Sequence, residues 1–241
     1  MLHSLYFYFR LVSSLVLLIP TMRRLGREKE RLPKDEWDKK VWNVAGNWAK
    51  DLLRDSGVKM QVEGLEHIPK DRTVLFVGNH QSNFDFLVLL GSLGVPTGFI
   101  AKIELEKIPL VSTWMKYLYC LFMDRSDMKQ QMQTILAGIK ELKEGDNLIV
   151  FPEGTRSKDG KMLEFKAGTF KLALKSKVPI VPFTIMGSAD ALENNHYMMK
   201  KVPIRLVIHP LIETKDIPKE EQGSLHRLVE EIVAKPFGQA Q

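Results

Sequence analysis

From residue 58 onward, short β-branched or apolar runs alternate with stretches of helical periodicity. Strands are expected at residues 59–63, 73–78, 97–101, 118–123, 147–151, 180–185 and 204–209. Helices are expected at 84–93, 109–117, 127–143, 167–177 and 222–234. Such alternation predicts an α/β fold, a layered, mostly parallel or mixed sheet flanked by helices. A chain of 241 residues can carry one such domain plus an appendage. In sheets of this kind ligands gather at the carboxyl ends of the strands, so polar residues just after each apolar run are the first place to look for chemistry.

The first sixty residues follow another rule. Residues 2–22 are apolar and aromatic, with Arg10 in the middle and Pro20 near the end. The unbroken part, 11–19, is too short to cross a hydrocarbon core of about 30 Å. The whole segment is long enough only if Arg10 snorkels or pairs. No basic region precedes the apolar stretch and no small-residue cleavage site follows it, which argues against a cleaved signal peptide. Arg23, Arg24, Arg27, Lys29, Arg31 and Lys34 come next and suit anionic headgroups on a cytoplasmic surface. In residues 35–56, Trp37, Val41, Val44, Ala45, Trp48 and Leu52 recur at helical spacing. Trp37 and Trp48 share a face, and Trp favours the boundary between lipid and water. Residues 1–57 are therefore expected to form a two-helix membrane-docking hairpin in or on one leaflet, and 58–241 the α/β domain.

The charge distribution agrees. Residues 1–60 hold 12 Lys and Arg against 7 Asp and Glu, while the remaining 181 hold 23 against 22. A nucleic-acid binder would carry its basic stripe on the folded body, so nucleic acid is not an expected partner. Cys120, the single cysteine, excludes an internal disulfide and lies in an apolar run, as a buried small residue does.

The segment TVLFVGNHQSNFDFLVLL reads as strand, turn and helix. His80 and Asp85 would diverge by about 140° on one continuous helix. They meet if His80 lies in the turn and Asp85 in the first helical turn, with Ser82 or Asn83 as cap. Asp85 then fixes the imidazole tautomer, and the other ring nitrogen is left to take a proton from an alcohol. The other histidines, His3, His67, His196, His209 and His226, have no comparable setting. Read singly, His80 and Asp85 also fit a capping His and a first-turn Asp.

A second apolar strand runs into NLIVFPEGTRS. Arg156 can grip a phosphate, and turn amides with Thr155 and Ser157 can form an anion nest. Glu153 can bind a substrate hydroxyl or hold Arg156. Lys102 follows GFIA and Arg125 follows LFMD, so both also stand after strands, with Lys107 and Lys166 behind them. Cations converging from separate loops are what a phosphate at a sheet edge requires.

Together these segments resemble the glycerolipid acyltransferases, specifically the 1-acylglycerol-3-phosphate acyltransferases. Four blocks occur in that family's order: NHQSNFD, LFMDRSD, FPEGTRS and VPIVPFTI. The second departs from the family's usual Ile-Phe-Ile or Val-Phe-Ile run, with Leu121, Phe122, Met123 and Asp124 before Arg125. The resemblance implies that His80 is the general base and Asp85 its partner. It implies that Arg125, Glu153, Gly154, Thr155 and Arg156 bind the acceptor with Lys102 near its phosphate, and that Pro182 shapes the acyl-donor side. The implied partners are lysophosphatidic acid, an acyl thioester (acyl-CoA or acyl-acyl carrier protein, as co-substrate) and an anionic phospholipid membrane. The expected location is the cytoplasmic face of a bacterial inner membrane. No metal or other cofactor is expected, since no convincing third ligand joins His80 and Asp85. No acyl-enzyme is expected, since no Ser, Cys or Lys pairs with the base. Transfer to another acceptor such as glycerol 3-phosphate or a lysophospholipid, hydrolysis, and a catalytically inactive membrane adaptor stand as alternatives.

Overall fold

The computed structural model describes residues 1–157 and 161–238. Three helices open the chain: α1 (Leu2–Leu17), α2 (Ile19–Glu28) and α3 (Lys34–Ser56). Then follow β1 (Lys59–Glu63), β2 (Leu75–Gly78), α4 (Asp85–Ser92), β3 (Thr97–Lys102), α5 (Val111–Tyr117), β4 (Leu121–Met123) and α6 (Met128–Lys143). The remainder is β5 (Asn147–Val150), α7 (Lys171–Ser176), β6 (Ile180–Met186), α8 (Ser188–Ala191), β7 (Pro203–Ile208), α9 (Lys219–Gln222) and α10 (Leu225–Gly238). Each expected strand is present, within a few residues of its expected bounds.

The seven strands form one sheet in the order β1-β7-β6-β2-β5-β3-β4. β6, β2, β5, β3 and β4 run parallel, β7 is antiparallel to β6, and β1 is parallel to β7. The sheet is thus mixed. Alternate residues feed opposite layers, as the two-residue period of a strand requires. Phe76, Ile149 and Phe183 meet the layer containing α3 and α4; Leu75, Val77, Leu148 and Val150 meet the layer of α6, α7 and α10.

The N-terminal segment is a hairpin. α1 and α2 are nearly continuous, with Pro20 tolerated in the first turn of α2. α3 runs back antiparallel to α1: Trp48 Nε1 donates to Ser14 Oγ (2.8 Å), and His3 Nε2 lies 2.8 Å from the Ser56 carbonyl. Arg10 is not a stray charge in an apolar run, because its Nε donates to Asp55 at 2.9 Å.

One expectation for this hairpin is corrected. Trp37 does not face a lipid boundary: it is 1% exposed, donates to the Leu25 carbonyl (2.8 Å) and meets Tyr117 edge-on. Trp48 is partly covered and stacks on Phe86. Lys34 also turns inward, to Asp38 (2.7 Å) and Asp146 (2.5 Å). The apolar stripe of α3 serves tertiary packing, with Trp42, Ala45, Ala49, Leu52 and Leu53 sharing one core with Leu87, Val88 and Leu90 of α4. Each large apolar side chain so buried is worth about 1.5–3 kcal/mol, so a few of them match a typical domain's whole stability and bind α3 to the sheet layer.

The exposed apolar face belongs to α1 instead. Leu2 (82% exposed), Leu5 (60%), Phe9 (68%), Val12 (61%) and Val16 (50%) recur at three- and four-residue steps along its outer side. Residues Leu2–Glu28 form the one stretch, among the described residues, with the length and composition to cross a membrane. Its inner face, however, is bonded to α3.

Candidate active site

β2 ends in Gly78, where a side chain would stand 2.4 Å from the Phe183 carbonyl of β6, so only glycine permits so close an approach. Asn79 then ties the turn to β6: its Nδ2 donates to the Ile185 carbonyl and its Oδ1 accepts from Ile185 N–H, both at 2.8 Å. His80 follows in the loop, and Asp85 is the first residue of α4. His80 Nδ1 lies 2.7 Å from Asp85 Oδ2. That oxygen also accepts from the backbone N–H of Gln81 (2.8 Å) and Ser82 (3.0 Å). A fully buried carboxylate taking such donors makes Nδ1 the protonated nitrogen of neutral imidazole, leaving Nε2 as the acceptor. Phe151 stacks on the imidazole (4.2 Å between centroids, 18° between planes) and completes its orientation.

The segment after β5 holds the same histidine by its backbone. Glu153 Oε1 accepts from His80 N–H (2.6 Å), and Ser157 N–H donates to the His80 carbonyl (3.0 Å). Glu153 Oε2 takes Leu163 N–H at 2.8 Å. Both oxygens of Glu153 are therefore engaged with backbone, not with Arg156. Gly154 sits at φ +72, which closes the turn, and a side chain there would strike Lys166 Nζ at 2.6 Å.

Burial pushes the Glu153 carboxyl up to about 7, against the pull of its two amide partners and of nearby His80. A raised carboxyl binds its proton more tightly in the folded chain than in the unfolded one. Its contribution to stability is full below about 4.5 and is lost as pH rises through about 7. We expect wild type to lose on the order of 3 kcal/mol across that window relative to Glu153→Gln, which cannot titrate. Urea unfolding of both proteins from pH 4.5 to 8 reads this directly, and parallel stability curves would disprove it.

The cations arrive from separate strands at the carboxyl edge. Lys102 ends β3 and pairs with Glu104 (2.6 Å). Arg125 follows β4, and its Nη1 donates to the Gly154 carbonyl; burial holds its guanidinium below its ordinary range. Arg156 Nη1 pairs with Glu193 at 2.5 Å. Thr155 is exposed in the turn between Arg125's contact and Arg156. The Lys166 side chain lies against Gly154 as well. Pro182 is apart from these residues: it is buried in mid-β6, opposite Val77, and its carbonyl accepts from His209 N–H. Its place is in the sheet rather than at the edge.

Two side chains at this site carry no sequence signal of their own role. Phe151 looked like the end of a strand, and Glu193 lies in an unremarkable polar segment. Cys120 is buried and pushed up to about 12 by desolvation, as an inert thiol is. A cavity of about 520 Å³ lies at the opposite edge, by the amino ends of β3 and β5. Its lining includes Lys34, Asp38, Tyr119 and Asp146, which hydrogen-bond to one another.

An oriented histidine whose Nε2 has no hydrogen-bond partner and no nucleophile paired with it among the described residues, with Arg125 and Lys166 at the neighbouring Gly154 turn, can deprotonate a hydroxyl carried by an anionic substrate. That is the equipment of an enzyme that moves a group onto an alcohol. The family model described as Acyltransferase matches residues 59–186, which include all four blocks. The chain belongs to the acyltransferase family. It is 35% identical over 203 residues to a Mycoplasma pneumoniae protein designated "Probable 1-acyl-sn-glycerol-3-phosphate acyltransferase", covering 80% of this chain and 71% of that one. It is 29% identical over 180 residues to the 1-acyl-sn-glycerol-3-phosphate acyltransferase of Borreliella burgdorferi, covering 75% and 72%. The crystal structure of PlsC from Thermotoga maritima, a 1-acyl-sn-glycerophosphate (LPA) acyltransferase, is similar over 100% of this chain and 96% of that one. Its TM-score is 0.87 at 33% identity.

Proposed function

We propose that this protein transfers a fatty acyl group from an acyl thioester to the sn-2 hydroxyl of 1-acyl-sn-glycerol 3-phosphate, forming phosphatidic acid. The carrying observation is the His80–Asp85 pair at the carboxyl edge of the sheet, with Nε2 unpartnered among the described residues, Arg125 and Lys166 at the Gly154 turn, and Arg156 on Glu193. His80 Nε2 takes the proton of the acceptor hydroxyl as its oxygen attacks the thioester carbonyl. The tetrahedral intermediate collapses, the C–S bond breaks, and the imidazolium gives its proton to the departing thiolate. Asp85 stabilises the imidazolium as it forms, the same part that an Asp plays in a Ser-His-Asp triad. The steps need no metal and no acyl-enzyme. The donor is acyl-CoA or acyl-acyl carrier protein, and both present the same thioester.

The outer face of α1, followed by the exposed Arg23, Arg24 and Arg27 of α2, supports docking on an anionic bilayer, in our reading at the cytoplasmic face of a bacterial inner membrane. Phe7 of α1 packs 6.1 Å from Phe84 in the His80–Asp85 turn, so the docking helix lies next to the site where a lipid acceptor is needed.

The test is turnover by the purified full-length chain on lysophosphatidic acid, glycerol 3-phosphate and lysophosphatidylcholine with one donor. Phosphatidic acid should dominate; faster acylation of either other acceptor, or free fatty acid formed without acceptor, overturns the reading. Arg156→Ala should raise KM for lysophosphatidic acid by roughly 10-fold or more, the scale of a lost charge-assisted contact, with the donor's KM unchanged. Lys102→Ala and Arg125→Ala should do the same more mildly. A rise confined to the donor's KM would put these cations on the other substrate.

A further inference from the structure

We propose that Glu193 is a positioning residue of this reaction: it braces the acceptor-binding Arg156 against the turn that carries the base. The proposal rests on the reading of the site given above.

The loop between β2 and α4 has no backbone ladder to hold it, yet each amide from His80 to Phe84 is satisfied. His80 N–H goes to Glu153, those of Gln81 and Ser82 go to Asp85, that of Asn83 goes to Glu193 Oε1 (2.8 Å), and that of Phe84 goes to Ser82 Oγ (2.9 Å). Ser82 Oγ in turn donates to Glu193 Oε2. Three carboxylates therefore hold the catalytic turn. Two of them stand in the recognisable blocks; the third, Glu193, comes from beyond β6 and is more than one hundred residues away in sequence.

Glu193 does one thing the other two do not. The oxygen that takes Asn83 N–H also takes Arg156 Nη1 at 2.5 Å. One carboxylate thus joins the turn bearing His80 and Asp85 to the arginine that faces the acceptor's phosphate. That linkage sets the distance from phosphate to base, and so sets which hydroxyl of a glycerol phosphate reaches Nε2. The pair is part-buried, with the Arg156 side chain 34% exposed and that of Glu193 16%.

The segment bearing Glu193 is held in a sparsely populated conformation. His196 (φ 53) and Tyr197 (φ 60) are consecutive non-glycine residues in the left-handed region. Backbone strain persists only where surrounding contacts impose it. Here Tyr8 of α1 donates to the Tyr197 carbonyl (2.7 Å), and Tyr197 and Lys200 N–H bond back to Leu192 and Ala191. The brace is thereby anchored to the docking helix as well as to the site.

The test compares wild type, His80→Ala, Arg156→Ala, Glu193→Ala, Glu193→Gln and the Arg156→Ala/Glu193→Ala double variant. The readouts are kcat, KM for lysophosphatidic acid, KM for the donor, and circular dichroism. Glu193→Ala should lower kcat/KM for the acceptor by roughly 10–100-fold with the donor's KM unchanged. Glu193→Gln keeps the shape and one acceptor oxygen but not the charge, so acceptor KM should rise by roughly threefold or more, less than in the Ala variant. The double variant should lose less than the product of the two single losses, because the two residues share the Arg156–Glu193 contact. Should Glu193→Ala not fold, Glu193→Gln decides. Acceptor kinetics in Glu193→Gln equal to wild type, or losses that multiply in the double variant, overturn the brace alone. An inactive wild type, or a His80→Ala variant as active as wild type, overturns the reading of the site and the brace with it.

Discussion

Replacing His80 with alanine is expected to lower turnover by about 10²–10⁴-fold, the range that a positioned general base contributes. The side chain is part-buried and, among the described residues, hydrogen-bonds to Asp85 alone, so the variant should fold and still sediment with vesicles. Asp85→Asn should follow with an intermediate loss. An amide in that place can present its NH₂ group to the imidazole, favouring the tautomer with the hydrogen on the wrong nitrogen. It also weakens the acceptor for the Gln81 and Ser82 amides. The loss should appear in kcat more than in the acceptor's KM, since neither residue holds the phosphate. A folded His80→Ala protein with turnover within a few-fold of wild type would refute base catalysis by this residue.

The second large effect is expected on the outer face of α1. The triple variant Leu5→Glu/Phe9→Glu/Val12→Glu should lose binding to anionic vesicles by at least ~100-fold, since lost apolar burial is worth on the order of 1 kcal/mol or more per side chain and three new negative charges oppose the surface. Thermal unfolding should barely change, because all three side chains already face solvent in the folded chain. Salt separates the two contributions. Raising ionic strength weakens the part that Arg23, Arg24 and Arg27 supply, while the apolar part persists. Co-sedimentation at low and high salt measures both. A triple variant that sediments like wild type would move the docking surface elsewhere on the protein. Trimming the hairpin is a poorer probe, because α3 shares its core with α4 and its loss would expose Trp42, Leu52 and Leu53.

Much of this protein was legible in its sequence because the relevant information is local. Strand and helix periods are set over five to fifteen residues, and the seven strands lie where the apolar runs predicted them. The His80–Asp85 encounter was legible for the same reason: five residues spanning a turn and a first helical turn can be brought together by local geometry alone. The four blocks carried the family because they are short and contiguous. What the sequence left open is whatever depends on which surfaces meet. A helical apolar stripe says that a face is to be covered, not by what, so α3 and α1 could exchange roles on paper; the tertiary structure gave the inner place to Trp37 and the outer one to Phe9. Glu153 was read as a hydroxyl or arginine partner, but the fold brings the His80 amide to it from 73 residues away. Pro182 stands in a recognisable block, yet strand order buries it in mid-sheet. Glu193 had no motif at all, because a brace between two distant segments is defined only when the β6–β2–β5 pairing puts their ends side by side. Local sequence was enough for the elements and for the His80–Asp85 pairing. Which charges face one another is visible in the folded chain alone, since long-range pairing is set by sheet order and layer packing, which no local pattern encodes.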